Sequence, residues 1–314
     1  MTVAAVVIGR NEGARLIACL DALQGQVGQI IYVDSGSTDG SVEAATAAGA
    51  QVIALDMTQP FTAARARNAG IAAVNEQADF VQFLDGDCAV RAGWIETALA
   101  FMADHPKVAV VCGRRRERFV EASVYNRLID AEWNTPIGAA KACGGDALIR
   151  REALAAVGGY RDDLIAGEEP EMCLRMRKLG WQIWRIDAEM TWHDAAITGL
   201  GQWWRRAVRA GHAFAEGAAL HGRAPERHWV SETRRALIWG AVMPLVIFLL
   251  AVFVSPWCLF LTLIYPLQVL RLSRGQGMDW AFYTTLSKFA EARGALQYYV
   301  GKLRRGPSRI IEYK

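Results

Sequence analysis

The chain has 314 residues, enough for one large core or two domains, and its 53% hydrophobic content exceeds what an ordinary soluble domain needs. The net charge of +3 hides a split: residues 1–198 carry 19 Lys/Arg against 26 Asp/Glu, whereas from Gly199 onward 16 basic residues face 6 acidic ones. Those basic residues flank a long apolar run and do not build a soluble recognition helix, which favours the headgroups of a lipid bilayer over nucleic acid, so no nucleic-acid partner is expected.

The six cysteines, at 19, 88, 112, 143, 173 and 258, form no CxxC pair and no metal-finger spacing. They read as buried small hydrophobes in a reduced, cytosolic compartment. The first residues, TVAAVVIG, bring no basic leader and run directly into polar sequence, so they read as a buried strand.

In chain order, short runs rich in Val, Ile and Phe alternate with helical patterns. The predicted strands are Val3 to Ile8, Gln29 to Val33, Gln51 to Leu55, Phe80 to Leu84 and Val108 to Val111. This rhythm predicts an α/β sheet with mainly parallel strands and a ligand site beyond their C-terminal ends. A strand or helix is expected around Ala142 to Arg150, a helix from Pro170 to Leu179, and separate strands at Gln182 to Ile186 and Met190 to His193.

From Ala236 to Leu270, 35 consecutive residues carry no charge, well past the ~20 that cross a bilayer as a helix. Pro244, Pro256 and Pro266 interrupt the run, and a hairpin turning near Ser255-Pro256 fits its length. Arg234 and Arg235 precede it and Arg271 and Arg274 follow, which places both flanks on the cytosolic side. Two amphipathic segments, Gly201 to Leu220 and Asp279 to Arg305, flank the run. The first, with Trp203, Trp204, Arg205, Arg206 and Arg209, reads as a helix lying in the membrane interface; the second reads equally as that or as a helix packed on a core.

Several polar groups follow the predicted strands. Asp85-Gly86-Asp87 ends the fourth, and in extended chain its two carboxylates would share a side, as hard oxygen ligands for Mg or Mn. A polar turn capping the next helix gives the same pattern. Asp34 to Gly40, DSGSTDG, offers a carboxylate, hydroxyls and a helix start near which a nucleotide could sit, and equally a capped turn. Arg65 and Arg67 fall on a helix after the third strand, where cations could meet a diphosphate.

VVIGRNE, IIYVDSGSTDGS, RARNAG and FLDGDC, in this order and spacing, resemble four motifs of the family 2 glycosyltransferases over roughly the first 200 residues. Gly9 stands where proline is more usual. The resemblance implies a nucleotide-sugar-binding GT-A fold: a Rossmann-like mixed sheet, here with a membrane-inserted helical region after it. It implies that Asp34, Arg65, Arg67 and Asp85 hold a UDP- or GDP-linked sugar donor and that Asp87 ligates a divalent metal, Mn or Mg. His193, after a predicted strand, would be a further ligand by the same analogy; a structural histidine is the plain alternative. CGGDALIRREALAAVGGY resembles the acceptor-side segment, which makes Gly145 and Asp146 acceptor contacts. AGEEPEMCLRMRKLGW resembles the segment that usually reads Gly-Glu-Asp, and puts Glu169 at the catalytic base with Glu168 as rival. Gln202 to Arg206 is similar to the Gln-x-x-Arg-Trp motif of processive synthases, so Trp203 and Arg205 are expected to contact the acceptor. The final Trp is Arg206 here, which counts against processive extrusion.

The expected organisation is a GT-A domain at 1–198, an interface helix and connector at 199–235, a membrane-inserted hairpin at 236–270 and a basic amphipathic segment at 271–314. The expected activity is inverting, metal-dependent sugar transfer to a hydroxyl of a lipid-linked acceptor in exopolysaccharide or envelope glycan assembly. It would take place at the inner membrane, with the catalytic domain in the cytosol. A polyprenyl-monophosphate glycosyltransferase and a catalytically inactive membrane adaptor remain as alternatives. A hydride-transfer enzyme does not, because no GxGxxG follows the first strand.

Overall fold

The computed structural model describes residues 1–304 and divides the chain into two compact units. The first comprises residues 1–122, 129–164 and 168–196; the second comprises 123–128, 165–167 and everything from 197 on. Arg305, the end of the second predicted amphipathic segment, and the residues after it lie outside the described residues.

The first unit begins with β1 (Val3–Gly9), α1 (Ala14–Leu23), β2 (Gln29–Asp34), α2 (Ser41–Ala47), β3 (Gln51–Ala54), α3 (Ala63–Ala72) and β4 (Phe80–Asp85). It continues through β5 (Cys88–Val90), α4 (Trp94–Asp104), β6 (Val108–Glu117), α5 (Val124–Glu132, whose first turn belongs to the second unit) and β7 (Gly138–Ala140). It ends with β8 (Leu148–Arg150), α6 (Arg151–Val157), α7 (Glu168–Lys178) and β9 (Gln182–His193). The strands make one mixed sheet in the order β3-β2-β1-β4-β8-β6-β9-β5, with β7 also on β9. β1 to β4 run parallel, and β8 inserts antiparallel between β4 and β6.

The central strands are apolar on both faces because helices cover both: Val3 to Ile8, Phe80, Phe83 and Leu84 are all buried. The buried indole of Trp94 donates to Gln82 Oε1 at 2.9 Å, which satisfies the polar group that a strand core would otherwise leave unpaired.

Three local expectations change. The two strands predicted on either side of Asp187-Ala188-Glu189 are one continuous β9, because β6 pairs along its length through bulges and Arg116 holds Glu189 across the ladder. The region 142–150 resolves as a turn followed by the short β8. β5, three residues long, was too short to show as a pattern and is fixed by antiparallel pairing with the end of β9.

The second unit holds α8 (Leu200–His221), α9 (Val230–Leu237), α10 (Met243–Phe253), α11 (Ile264–Gln276) and α12 (Met278–Leu303). A π turn at Ile238–Val242 joins α9 to α10, just before Pro244, whose ring and missing N–H disturb the preceding turn. The chain breaks at Val254-Ser255, and a 3-10 segment, Pro256–Leu263, leads back into α11. Tyr265 Oη donates to the Trp239 carbonyl at 2.8 Å, so the two halves run side by side as a hairpin. Two helical stretches, Val230–Phe253 and Pro256–Gln276, are long and apolar enough to cross a membrane.

α8 differs from its expected placement in a membrane interface. Ala207, Val208, Gly211, His212 and Ala215 are buried as it packs against α12, and Trp203 is buried between the rings of Tyr125 and Tyr283. Its apolar stripe is an internal one.

Candidate active site

Beyond the C-terminal end of β4 the chain turns at Gly86 and enters β5, which pairs Cys88 with His193. That pairing sets Oδ2 of Asp87 at 3.1 Å from Nε2 of His193, both residues buried. Donor atoms of Asp87, Cys88 and His193 all lie within 4.8 Å of one another. Burial, followed by the neighbouring Asp85 charge, pushes the Cys88 thiol well above its ordinary range, and hard ions such as Mg and Mn take oxygen and nitrogen donors in preference to sulfur. What remains is a carboxylate oxygen and an imidazole nitrogen, a donor set that fits a divalent ion and suits Mn better than Mg.

Asp85 takes a different partner. It ends β4 just before the turn at Gly86, and its Oδ1 accepts from Arg67 Nη2 at 2.8 Å. The other arm of Arg67 donates to Glu168 Oε1 at 2.6 Å. Thr62 caps α3 by accepting from Arg65 N–H, and this start sets Arg67 inward. Burial opposes the guanidinium charge, but Asp85 and Glu168 outweigh it and hold its pKa above the usual value.

Glu169 follows Glu168 in the first turn of α7 and is buried. Its Oε1 accepts from the backbone N–H of Cys143 at 2.9 Å and from the Cys173 thiol at 3.0 Å. Burial is the main cause that raises its pKa above the ordinary carboxylate range. Glu171 instead pairs with Arg175 one turn on, as a plain helical ion pair.

The acceptor-side segment closes the cluster. A Cβ at Gly145 would overlap Nη2 of Arg67 and press on Asp85 Oδ2, so a larger residue there would displace the Arg67–Asp85 pair. Asp146 is buried, pairs with Arg115 and accepts from the Thr191 hydroxyl. Arg115 lies over the Trp133 ring at 5.1 Å, and Trp133 stacks on His193 with ring centres 4.7 Å apart. Asp85, Arg67, Gly145, Asp146 and Arg115 thus connect through Trp133 to His193 and Asp87.

The remaining expected residues stand elsewhere. Asp34 Oδ1 accepts from Tyr32 Oη at 3.0 Å and Oδ2 from the N–H groups of Gly36 and Ser37, so its carboxylate braces the turn after β2. That turn is locked to the one after β1, where Asn11 Oδ1 accepts from Thr38 N–H at 2.7 Å. Arg65 donates to the carbonyls of Asp56, Gln59 and Pro60 and shapes the loop before α3. Trp203 and Arg205 belong to the second unit, the first buried and the second exposed. Arg115, Trp133, Cys143, Thr191 and the role of Glu168 were not expected from sequence.

Residues 4–158 match the profile of glycosyl transferase family 2. This part of the chain is a family 2 glycosyltransferase domain. The glycosyltransferase domain has the GT-A fold, and solved structures resemble the chain well beyond it. A mannosyltransferase from Pyrobaculum calidifontis, solved with GDP-Man and Mn2+, superposes with a TM-score of 0.67 at 19% identity over 96% of this chain and 87% of its own. Glucosyl-3-phosphoglycerate synthase from Mycobacterium tuberculosis, solved with phosphoglyceric acid, gives 0.50 at 19% identity over 71% and 81%. Among curated proteins, the pre-mycofactocin glycosyltransferase of Mycobacterium tuberculosis is 29% identical over 238 residues, 70% of this chain and 48% of that protein. The succinoglycan biosynthesis protein ExoA of Rhizobium meliloti is 27% identical over 193 residues, 56% of this chain and 58% of its own. The chain therefore spans about half the length of the curated relatives it matches.

Proposed function

We propose that the chain transfers a sugar from a UDP- or GDP-linked donor to a hydroxyl of a membrane-associated, lipid-linked acceptor, with inversion, in exopolysaccharide or envelope glycan assembly. The observation that carries this reading is the contact network joining the Asp87–His193 pair to Arg67, Asp85 and the Glu168-Glu169 turn. A metal-binding pair and a buried carboxylate with a raised pKa are the two things a direct displacement needs at one sheet edge.

Asp87 and His193 would hold a divalent ion, Mn or Mg, which when bound offsets negative charge on the departing diphosphate. Arg67 fixes Asp85 toward the donor sugar, and the braced loop from Asp34 to Gly40 receives the base and ribose. Glu169 takes the proton of the acceptor hydroxyl: Cys143 N–H and the Cys173 thiol both bond to Oε1, which leaves Oε2 to receive it. The acceptor oxygen bonds to the anomeric carbon as the bond to the diphosphate breaks and its electron pair leaves with the diphosphate. Gly145 and Asp146 border the acceptor path.

The membrane part of the reading rests on the hairpin. Leu245, Phe248, Phe253, Trp257, Phe260 and Leu267 are each more than half exposed, an apolar surface that water would not tolerate on a soluble unit. A lipid acceptor and an anchored enzyme would share that bilayer and meet at raised local concentration. The inner membrane, with both flanks of the hairpin cytosolic, is the proposed location.

The test is nucleoside diphosphate release by the purified chain in a membrane mimic, across UDP- and GDP-sugars with Mn or Mg, beside Asp87→Ala and Glu169→Gln. Release with one donor, stimulated by a polyprenyl-linked acceptor and lost in both variants, is the expected result. Nucleotide binding without turnover of any donor would replace it with the adaptor reading.

A further inference from the structure

A cavity of about 370 Å3 opens on the first unit between β6, β9 and the loop that follows Trp133. Its walls are Arg114 and Arg116 from β6, Arg185, Asp187 and Glu189 from β9, and Asn134 to Ile137. Arg115, which lies between two of the lining arginines, does not line it and turns instead to Asp146 and Trp133.

The three lining arginines are not equivalent. Arg114 pairs with Asp130 and Arg116 with Glu189, so their charges are matched. Arg185 is only 3% exposed, its Nε has no hydrogen-bond partner, and no carboxylate among the described residues forms an ion pair with it. A buried guanidinium without an ion-pair partner is unfavourable in a dry interior. It is tolerable where it borders a cavity that admits an anion. Around it, the exposed Asn134 and Thr135 offer an amide and a hydroxyl, and the exposed Asp187 can accept from hydroxyl groups.

We infer that this cavity binds a carboxylate or phosphate group, held by Arg185 in a forked pair of hydrogen bonds, with the wall residues taking the hydroxyls of a sugar that carries it. The inference rests on the transferase reading only for where such a group would come from: an acidic sugar or phosphate of the acceptor, because the wall residue Asn134 directly follows Trp133, which stacks on His193. A free cytosolic anion is the other source of the same chemistry.

The experiment is isothermal calorimetry on the full chain in a membrane mimic, titrating D-glucuronate, inorganic phosphate and D-glucose with no nucleotide-sugar present. Glucuronate is expected to bind in the millimolar range and glucose not. Arg185→Gln should weaken that binding at least about tenfold, the effect of one charge-assisted hydrogen-bonding group. Should Arg185→Gln fail to fold, Asn134→Asp, on the exposed rim, places a repelling charge at the mouth and should weaken binding alone. Glucuronate bound more tightly than phosphate assigns the anion to a sugar; equal binding of phosphate assigns it to a free anion, and both support the site. Absence of binding by either anion, or unchanged binding in the variants, overturns it. Because no donor is used, this result stands apart from any failure to find sugar transfer.

Discussion

Oε1 of Glu169 accepts a hydrogen bond from the backbone N–H of Cys143 at 2.9 Å, tying the first turn of α7 to the turn that precedes β8. That bond orients a carboxylate which burial has raised above its ordinary range. A carboxyl raised on folding adds stability below its unfolded pKa, and the contribution is lost as pH rises through the folded value. The basic form therefore appears only above the normal glutamate range, and the acidic limb of kcat/KM is expected there. Glu169→Gln should lower kcat by about 10² or more and remove that limb. It should also raise the melting temperature on the alkaline side, where the native carboxylate is charged and buried. A pH-rate profile beside thermal melts at several pH values checks all three, and an unshifted limb would reject the assignment.

How much of this was legible beforehand follows from range. β1, β2, β4 and the DSGSTDG turn carry their signal in consecutive residues, and the family motifs sit on them. The segments that carry Asp87 and Glu169 are local in the same way. Trp133 on His193 and Arg115 on Asp146 join residues far apart in sequence that only the folded sheet brings together. The fourth strand ends at Asp85, and the two-residue turn at Gly86-Asp87 that follows it is set by the pairing of β5 with β9, which strand alternation does not show. The amphipathic pattern of α8 was real, but a pattern does not say whether lipid or another helix covers it; here α12 does.

Divalent metal should be required, and His193 should decide which. Chelation with EDTA is expected to stop donor turnover, and Mn to restore it more effectively than Mg. In His193→Ala the Mn advantage should vanish while Mg still supports residual activity, because an imidazole nitrogen favours Mn. Activity against metal concentration measures this, and an unchanged Mn preference would remove His193 from the ligand set. Asp87→Ala should lose activity with either ion.

Arg67→Met should destabilise the first unit by about 3 kcal/mol, because it leaves Glu168 buried without its cation. Denaturant unfolding gives the figure, and Arg67→Lys, which reaches one carboxylate but not both, should fall between. Glu168→Gln in the Arg67→Met background should recover part of the loss, whereas no recovery would mean that the two residues act independently.

α8 and α12 approach closely enough that a Cβ at Gly211 would strike the Glu291 backbone and one at Gly294 the Val208 carbonyl. Alanine at either position should destabilise the second unit by about 1–3 kcal/mol through overpacking. Thermal unfolding in detergent, followed by helical circular dichroism, tests this. An unchanged transition in both variants would mean that the helices separate without loss.

The hairpin makes a topological prediction that the positive flanks sharpen. Arg234 and Arg235 close one end and Arg271 and Arg274 the other, and the chain reverses at Val254-Ser255, so the two ends should share one side of the bilayer and the turn should lie toward the other. In a Cys258→Ser background, a cysteine at Ser255 should react with a membrane-impermeant maleimide added to intact cells. One at Arg271 should react only after lysis. Labelling of Arg271 from outside, with Ser255 reacting only after lysis, would invert the orientation and place the nucleotide-sugar site away from the cytosol. Labelling of neither before lysis would mean that the hairpin dips into one leaflet and returns without crossing, which two short helices broken by Pro256 and a 3-10 turn also permit.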